Sequence, residues 1–86
     1  MKQAAYDVVA PLSRLAIFHT AKRRERKLLL DFLDRLARSP GTTSEWTLID
    51  QAGRTNYQTA VGRFLITYWA DHAAREVRIV RLDRVD

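Results

Sequence analysis

The chain has 86 residues, of which 47% are hydrophobic and 29% are charged, a composition typical of a folded domain and not of a disordered chain. A chain of this length can build one hydrophobic core, so we expect a single domain over residues 1–86 and exclude an enzyme with a cleft between two domains. The 15 Lys and Arg residues outnumber the 10 Asp and Glu residues, and 12 of these 15 cations are arginine, whose planar guanidinium suits phosphate and carboxylate partners.

The sequence contains no cysteine and only two histidines. This composition excludes a disulfide framework and a zinc site with ordinary ligand spacing, and we expect no metal or other cofactor. A domain without cysteine suits a reducing, cytoplasmic environment. No stretch of 18 apolar residues is present, so we expect no membrane span, and the first residues lack the apolar segment of a signal peptide.

The first predicted elements are a short strand and a helix. Residues 4–10 contain the β-branched pair Val8-Val9, which favours a strand. Pro11 follows directly and suits the first position of a helix, where its missing N–H costs nothing. We therefore predict a first helix from Pro11 through Phe18, with Leu12, Leu15, Ala16 and Phe18 as its apolar residues.

A second helix is predicted by apolar residues at the spacing i, i+3, i+4 and i+7, namely Leu29, Phe32, Leu33 and Leu36. Ser39-Pro40-Gly41 ends it. Thr20 is a candidate N-cap, although Arg23 occupies the position where a capping box would place Glu.

The pattern changes to strands after Gly41. We predict strands over residues 45–50, 57–61, 64–69 and 76–82, with Gly62 in a tight turn between the second and third of them. Helices followed by hairpins indicate an α+β domain of two layers, in the order β-α-α-β-β-β(-β), with two N-terminal helices packed on an antiparallel sheet. Phe64, Ile66 and Tyr68 should lie beneath the second helix.

Four segments together resemble the RelE/ParE superfamily of small toxins from type II toxin–antitoxin systems. They are the basic helix onset at residues 22–27, the helix end at residues 39–41, the hairpin strand at residues 61–68 and the final strand at residues 75–82. The resemblance implies a toxin that a cognate antitoxin neutralises. It implies one of two targets, mRNA on the ribosome for RelE-type members or DNA gyrase for ParE-type members.

The chain departs from the nuclease pattern that the resemblance implies. RelE-type members use Lys and Arg on the exposed sheet face, where this chain has Gln58, Ala60 and Leu65. The remaining candidates for a catalytic role are Arg63, Arg81 and Arg84. Arginine stays protonated, so Asp83 or Asp50 would have to act as the base. We therefore expect a ParE-like activity that works by binding, while endoribonuclease activity stays open.

The resemblance also implies an antitoxin laid over the sheet, with Leu65, Trp69, Arg63 and Arg81 as its contacts. Trp69 alternates with Tyr68, so it should face away from the helices. It is then either an exposed partner site or a side chain covered by another segment of the chain.

The helix onset carries five cations, Lys22, Arg23, Arg24, Arg26 and Lys27, around a single Glu25. Such a block is either a solvated helix face or a contact for a nucleic-acid backbone or an acidic partner. Arg81 and Arg84 have the same two readings. The block supports an alternative function from another class, a small basic nucleic-acid-binding module without toxicity.

Overall fold

The computed structural model describes residues 5–11, 20–40 and 45–85. Within these residues one helix packs on a five-stranded sheet. The elements are β1 (Asp7–Val9), α1 (Arg23–Arg38), β2 (Trp46–Ile49), β3 (Thr55–Val61), β4 (Phe64–Asp71) and β5 (Glu76–Arg84). The α+β class and the four strands after the helix are confirmed. The helix predicted from Pro11 through Phe18 lies, apart from Pro11, outside the described residues.

The sheet has the strand order β1-β5-β4-β3-β2. Strands β2 to β5 form an antiparallel meander, whereas β1 runs parallel to β5. The sheet is therefore mixed, and the prediction of an antiparallel sheet was wrong at this edge. The apolar pattern of residues 4–10 indicates a strand, but it does not specify which neighbour the strand pairs with. In the fold β1 covers the edge of β5, which would otherwise expose its hydrogen-bonding groups.

Helix α1 begins after Lys22, and its first turn is capped by Glu25. The Lys22 N–H donates to Glu25 Oε1 at 2.9 Å, so the prediction of Thr20 as the N-cap was wrong. A carboxylate three residues after the cap satisfies a free N–H group, and it also suits the positive end of the helix dipole. The predicted end is confirmed, since Ser39 N–H donates to the Arg35 carbonyl oxygen at 2.8 Å.

The core lies between α1 and the sheet face beneath it. Leu29, Phe32 and Leu36 are buried, and the side chains below them include Phe64, Ile66 and Tyr68, as the alternation along β4 predicts. The rings of Phe32 and Tyr68 meet edge to face with centroids 6.1 Å apart, a favourable geometry for an aromatic pair. The predicted helical stripe is therefore confirmed, with Leu33 partly buried against the core, and so is the predicted facing of Phe64, Ile66 and Tyr68.

A bulge in β5 sets which residues of the last strand reach the core. Thr67 pairs with Arg81, but Tyr68 pairs with Ile79, so Val80 is an extra residue in the ladder. Ile79 and Leu82 are both buried although three positions separate them. The bulge reverses the alternation between these two residues and leaves Val80 and Arg81 exposed.

Gly62 brings the β3–β4 turn against the start of α1. Its φ of +60° lies in the left-handed region, which glycine adopts without steric cost. A Cβ atom at this position would lie 3.2 Å from Leu28 Cδ1. The close approach places Arg63, the next residue of the turn, beside the basic N-terminal turn of the helix.

Candidate functional site

The sheet face turned away from α1, on which no described helix packs, is called the open face here. Register partners in neighbouring strands present their side chains on the same face. On the open face Trp69 therefore lies beside Arg78, Thr67 lies between Gln58 and Arg81, and Leu65 lies between Ala60 and Asp83. Three of the four predicted antitoxin contacts, Leu65, Trp69 and Arg81, thus share this face, and Arg63 lies at its end in the β3–β4 turn.

Trp69 is flanked by two guanidinium groups. The Arg54 guanidinium carbon lies 4.1 Å from the centroid of the indole ring, and that of Arg78 lies 5.9 Å from it. Both distances allow attraction between a cation and the aromatic ring. Arginine side chains therefore flank the half-buried ring, and a partner of this face would meet an indole framed by cations.

The arginines of the open face are paired with carboxylates. Arg78 Nη2 lies 2.7 Å from Glu76 Oε1, and its Nε lies 4.0 Å from Asp71 Oδ2. Arg81 Nε lies 3.2 Å from Asp83 Oδ2. Arg54 Nε lies 3.9 Å from Asp50 Oδ2. These pairs leave the open face with little uncompensated positive charge.

Arg84 lies on the opposite side of the sheet from Arg81. It pairs in register with the buried Phe64, and its guanidinium carbon lies 5.1 Å from the centroid of that ring. Its two terminal nitrogens donate to Glu25, Nη1 to Oε2 at 3.2 Å and Nη2 to Oε1 at 3.1 Å. The structure therefore does not bring the predicted catalytic residues Arg63, Arg81 and Arg84 together on one face.

Asp50 and Asp83, the two carboxylates considered as bases, are both engaged in contacts within the fold. Asp50 accepts hydrogen bonds from the Arg54 and Ala52 N–H groups and from Asn56 Nδ2. The bond from Arg54 N–H, with those from Asn56 and Ala52, lowers the pKa of Asp50 below its ordinary value. A general base works best with a pKa near the operating pH, so Asp50 is poorly suited to that role. Asp83 is engaged with Arg81.

Glu25 is the centre of a second contact group, at the start of α1. The hydrogen bond from Lys22 N–H, followed by the hydrogen bond from Arg84, lowers the pKa of Glu25 below its ordinary value of 4.5. The pair joins the end of β5 to the first turn of the helix, so Glu25 and Arg84 together form what we call the terminal clasp.

We expect Glu25→Gln to destabilise the fold at neutral pH and to have progressively less effect as the pH falls. A lowered pKa means that the ionised form stabilises the folded state, and this contribution is complete above 4.5 and lost as the pH falls through the folded-state value. Urea unfolding of both proteins between pH 7 and pH 3 measures the difference. A difference that stays constant across this range would contradict the ionic role of the terminal clasp.

The basic block at the helix onset is divided by the fold. Lys22, Arg23 and Arg24 line an open cleft together with Arg63 of the turn. Arg26 and Lys27 are not among its lining residues, and Lys27 Nζ instead lies 3.6 Å from Asp31 Oδ2. Of the five cations predicted to act together, the cleft therefore brings together only Lys22, Arg23 and Arg24, and it adds Arg63 from the β3–β4 turn.

Sequence reasoning missed Arg54 and Arg78 as neighbours of Trp69. Arg54 directly precedes β3 and Arg78 lies in β5, whereas Trp69 lies in β4 between them. Only the pairing of these three strands brings both arginines to one ring. No local spacing signals this contact. In the part of the chain that the structure describes, no group of three His, Cys, Asp or Glu side chains could hold a metal ion. Nor is any described helix long and apolar enough to span a membrane.

Three solved structures with a similar fold are two toxin–antitoxin complexes and one free toxin. A chain of the archaeal RelE–RelB complex from Pyrococcus horikoshii OT3 has a TM-score of 0.79 at 16% identity, over 93% of this chain and 94% of the other. A chain of the RelBE2 complex from Mycobacterium tuberculosis has a TM-score of 0.74 at 20% identity, over 96% and 94%. A double arginine-to-alanine mutant of E. coli toxin RelE in the free state has a TM-score of 0.66 at 14% identity, over 93% and 83%.

The sequence itself matches no protein-family model and no curated protein. The structural similarity nevertheless extends over nearly the whole chain. The chain therefore has the RelE-like toxin fold, as the resemblance of its sequence predicted.

Proposed function

We propose that this protein is the toxin of a type II toxin–antitoxin pair. Two of the similar structures are toxin–antitoxin complexes, and they align with more than nine-tenths of this chain. A toxin of this kind would act in the cytoplasm, which suits a chain without cysteine.

The toxin acts by binding its target through the open face, and DNA gyrase is the target class that we favour over mRNA. Cleavage of RNA needs cations around the reacting phosphate and a group that takes the 2′-hydroxyl proton. On the open face Arg78 and Arg81 are paired with carboxylates, and Asp83 is engaged with Arg81. This pairing is the observation that carries the choice, because a face of alternating charges fits a protein surface better than a polyphosphate.

The cognate antitoxin covers the same face. Leu65 and Trp69 supply apolar area, Arg81 supplies a charged contact on the face, and Arg63 supplies one at its end. A partner segment with an apolar residue over Leu65 and carboxylates near the arginines complements this arrangement. Antitoxin and target then compete for one surface, which explains neutralisation.

Induced expression of the chain alone tests the proposal. We expect growth arrest with cellular mRNA left intact, together with inhibition of gyrase supercoiling by the purified protein. The measurements are culture growth, mapping of mRNA ends in the arrested cells and a supercoiling assay. Normal growth with soluble protein present would contradict the toxin assignment. Arrest accompanied by new mRNA ends would keep the toxin assignment and replace binding by endoribonuclease activity.

A further inference from the structure

Four cations from two distant segments meet at one corner of the molecule. Lys22, Arg23 and Arg24 come from the onset of α1, and Arg63 comes from the β3–β4 turn that Gly62 holds against the helix. We call these four residues the basic corner. They surround an open cleft of about 630 Å³, which Glu25 and Leu28 also line. The basic corner is separate from the row of paired arginines on the open face.

The basic corner brings together four cations that form no side-chain ion pair among the described residues. In the described residues, ion pairs engage Lys27, Arg38, Arg54, Arg78, Arg81 and Arg84. None of these pairs includes a residue of the basic corner. Glu25 is the one carboxylate among the residues that line the cleft, and Arg84 and the Lys22 N–H already occupy its oxygens. The terminal clasp thus offsets the negative charge of Glu25, which also attracts Arg63 and would otherwise oppose an anion there.

We propose that the basic corner binds the phosphodiester backbone of nucleic acid. Three of its four residues are arginines, whose forked donors match phosphate oxygens. The cleft is open, and Leu28, the one large hydrophobic residue among those that line it, is 48% exposed, so the cleft offers no enclosed apolar pocket for an anchoring side chain of a protein partner. Contacts with phosphates carry no sequence information, so the binding is sequence-independent. This inference does not depend on whether the chain is toxic.

Fluorescence anisotropy with a labelled 20-nucleotide oligouridine RNA tests the inference. Four phosphate contacts on a single strand give a slope of log K against log salt near −3, or roughly 50-fold weaker binding at 200 mM than at 50 mM salt. The variant Arg23→Ala with Arg24→Ala retains about half of this slope, so its binding weakens only about 7-fold between 50 mM and 200 mM salt. Oligothymidine DNA of equal length binds with similar affinity, because the phosphates carry the contact.

The matched control is Lys27→Ala with Arg38→Ala, which removes two cations from the same helix. Each variant removes two cations, so the net charge changes equally. Both control residues pair with carboxylates one turn away and lie outside the basic corner, which stays intact. We expect the control to keep the slope of the unmodified protein, and far-ultraviolet circular dichroism checks that both variants are folded. An equal reduction of the salt slope in both variants would overturn the proposal in favour of general charge attraction. Absence of RNA binding, or equal competition by polyglutamate of the same length, would also overturn it.

Discussion

Leu36→Ala is expected to lower the free energy of unfolding by about 3 kcal/mol, the typical cost of emptying a buried leucine site. Leu36 has no exposed surface and belongs to the stripe with which α1 covers the sheet. A change of this size reduces the equilibrium constant for folding by roughly 150-fold. The expected total stability of a domain with 86 residues is only about 4–13 kcal/mol, so the variant approaches the limit of folding.

Leu30→Ala is the matched control for this stability prediction. It makes the same chemical change in the same helix, but Leu30 is 55% exposed. We expect a change within about 0.5 kcal/mol, as is usual for surface positions. Urea denaturation of both variants, followed by circular dichroism, compares the two costs. Similar losses in the two variants would contradict the orientation of α1 on the sheet.

The elements that could be predicted from sequence are those whose signals are local. The 3.6-residue period of Leu29, Phe32 and Leu36 identified the helix and its buried side. The alternation of Phe64, Ile66 and Tyr68 identified the strand side beneath it. The Ser39-Pro40-Gly41 stop predicted the end of α1 because backbone preferences act within a few residues.

The elements that were missed depend on contacts between distant segments. The parallel pairing of β1 with β5 joins residues near the two ends of the described chain, and no pattern in residues 4–10 specifies it. The bulge at Val80 depends on packing Ile79 and Leu82 into one core. The flanking of Trp69 by Arg54 and Arg78 likewise requires three strands to be in place.

The candidate site was partly predictable, and one error could have been avoided. Arg81 and Arg84 are separated by an odd number of positions, so a regular strand puts them on opposite faces. Grouping them as one cationic set disregarded this rule, and the structure shows Arg84 on the helix side. In contrast, the convergence of Arg63 with the helix onset depends on the tight turn at Gly62 and on its contact with Leu28.

Removing Arg78 and Arg81, the two arginines of β5 on the open face, is expected to abolish the proposed toxicity. The double variant Arg78→Ala/Arg81→Ala leaves three carboxylates without their cationic partners, namely Asp71, Glu76 and Asp83. The open face therefore becomes negatively charged. Central arginines are frequent hot spots of protein interfaces, and losing two of them weakens target binding by about 2 kcal/mol or more, roughly 30-fold. Trp69 also loses one of its two flanking guanidiniums.

The matched control for this variant is Arg35→Ala with Arg38→Ala. It changes the net charge equally, but both residues lie in the last turn of α1, away from the open face. Among the described residues, Arg38 forms an ion pair with the exposed Asp34, so its loss should cost little stability. Any effect of net charge alone on toxicity or expression appears in both variants.

Colony counts after induced expression test most directly whether the open face carries the function. The measurement compares the unmodified chain, the Arg78→Ala/Arg81→Ala variant and the Arg35→Ala/Arg38→Ala control, with soluble protein verified in each culture. We expect colony counts to fall for the unmodified chain and for the control, and to recover for the open-face variant. Equal killing by all three proteins, or by none of them, would contradict the proposal that the open face carries this activity.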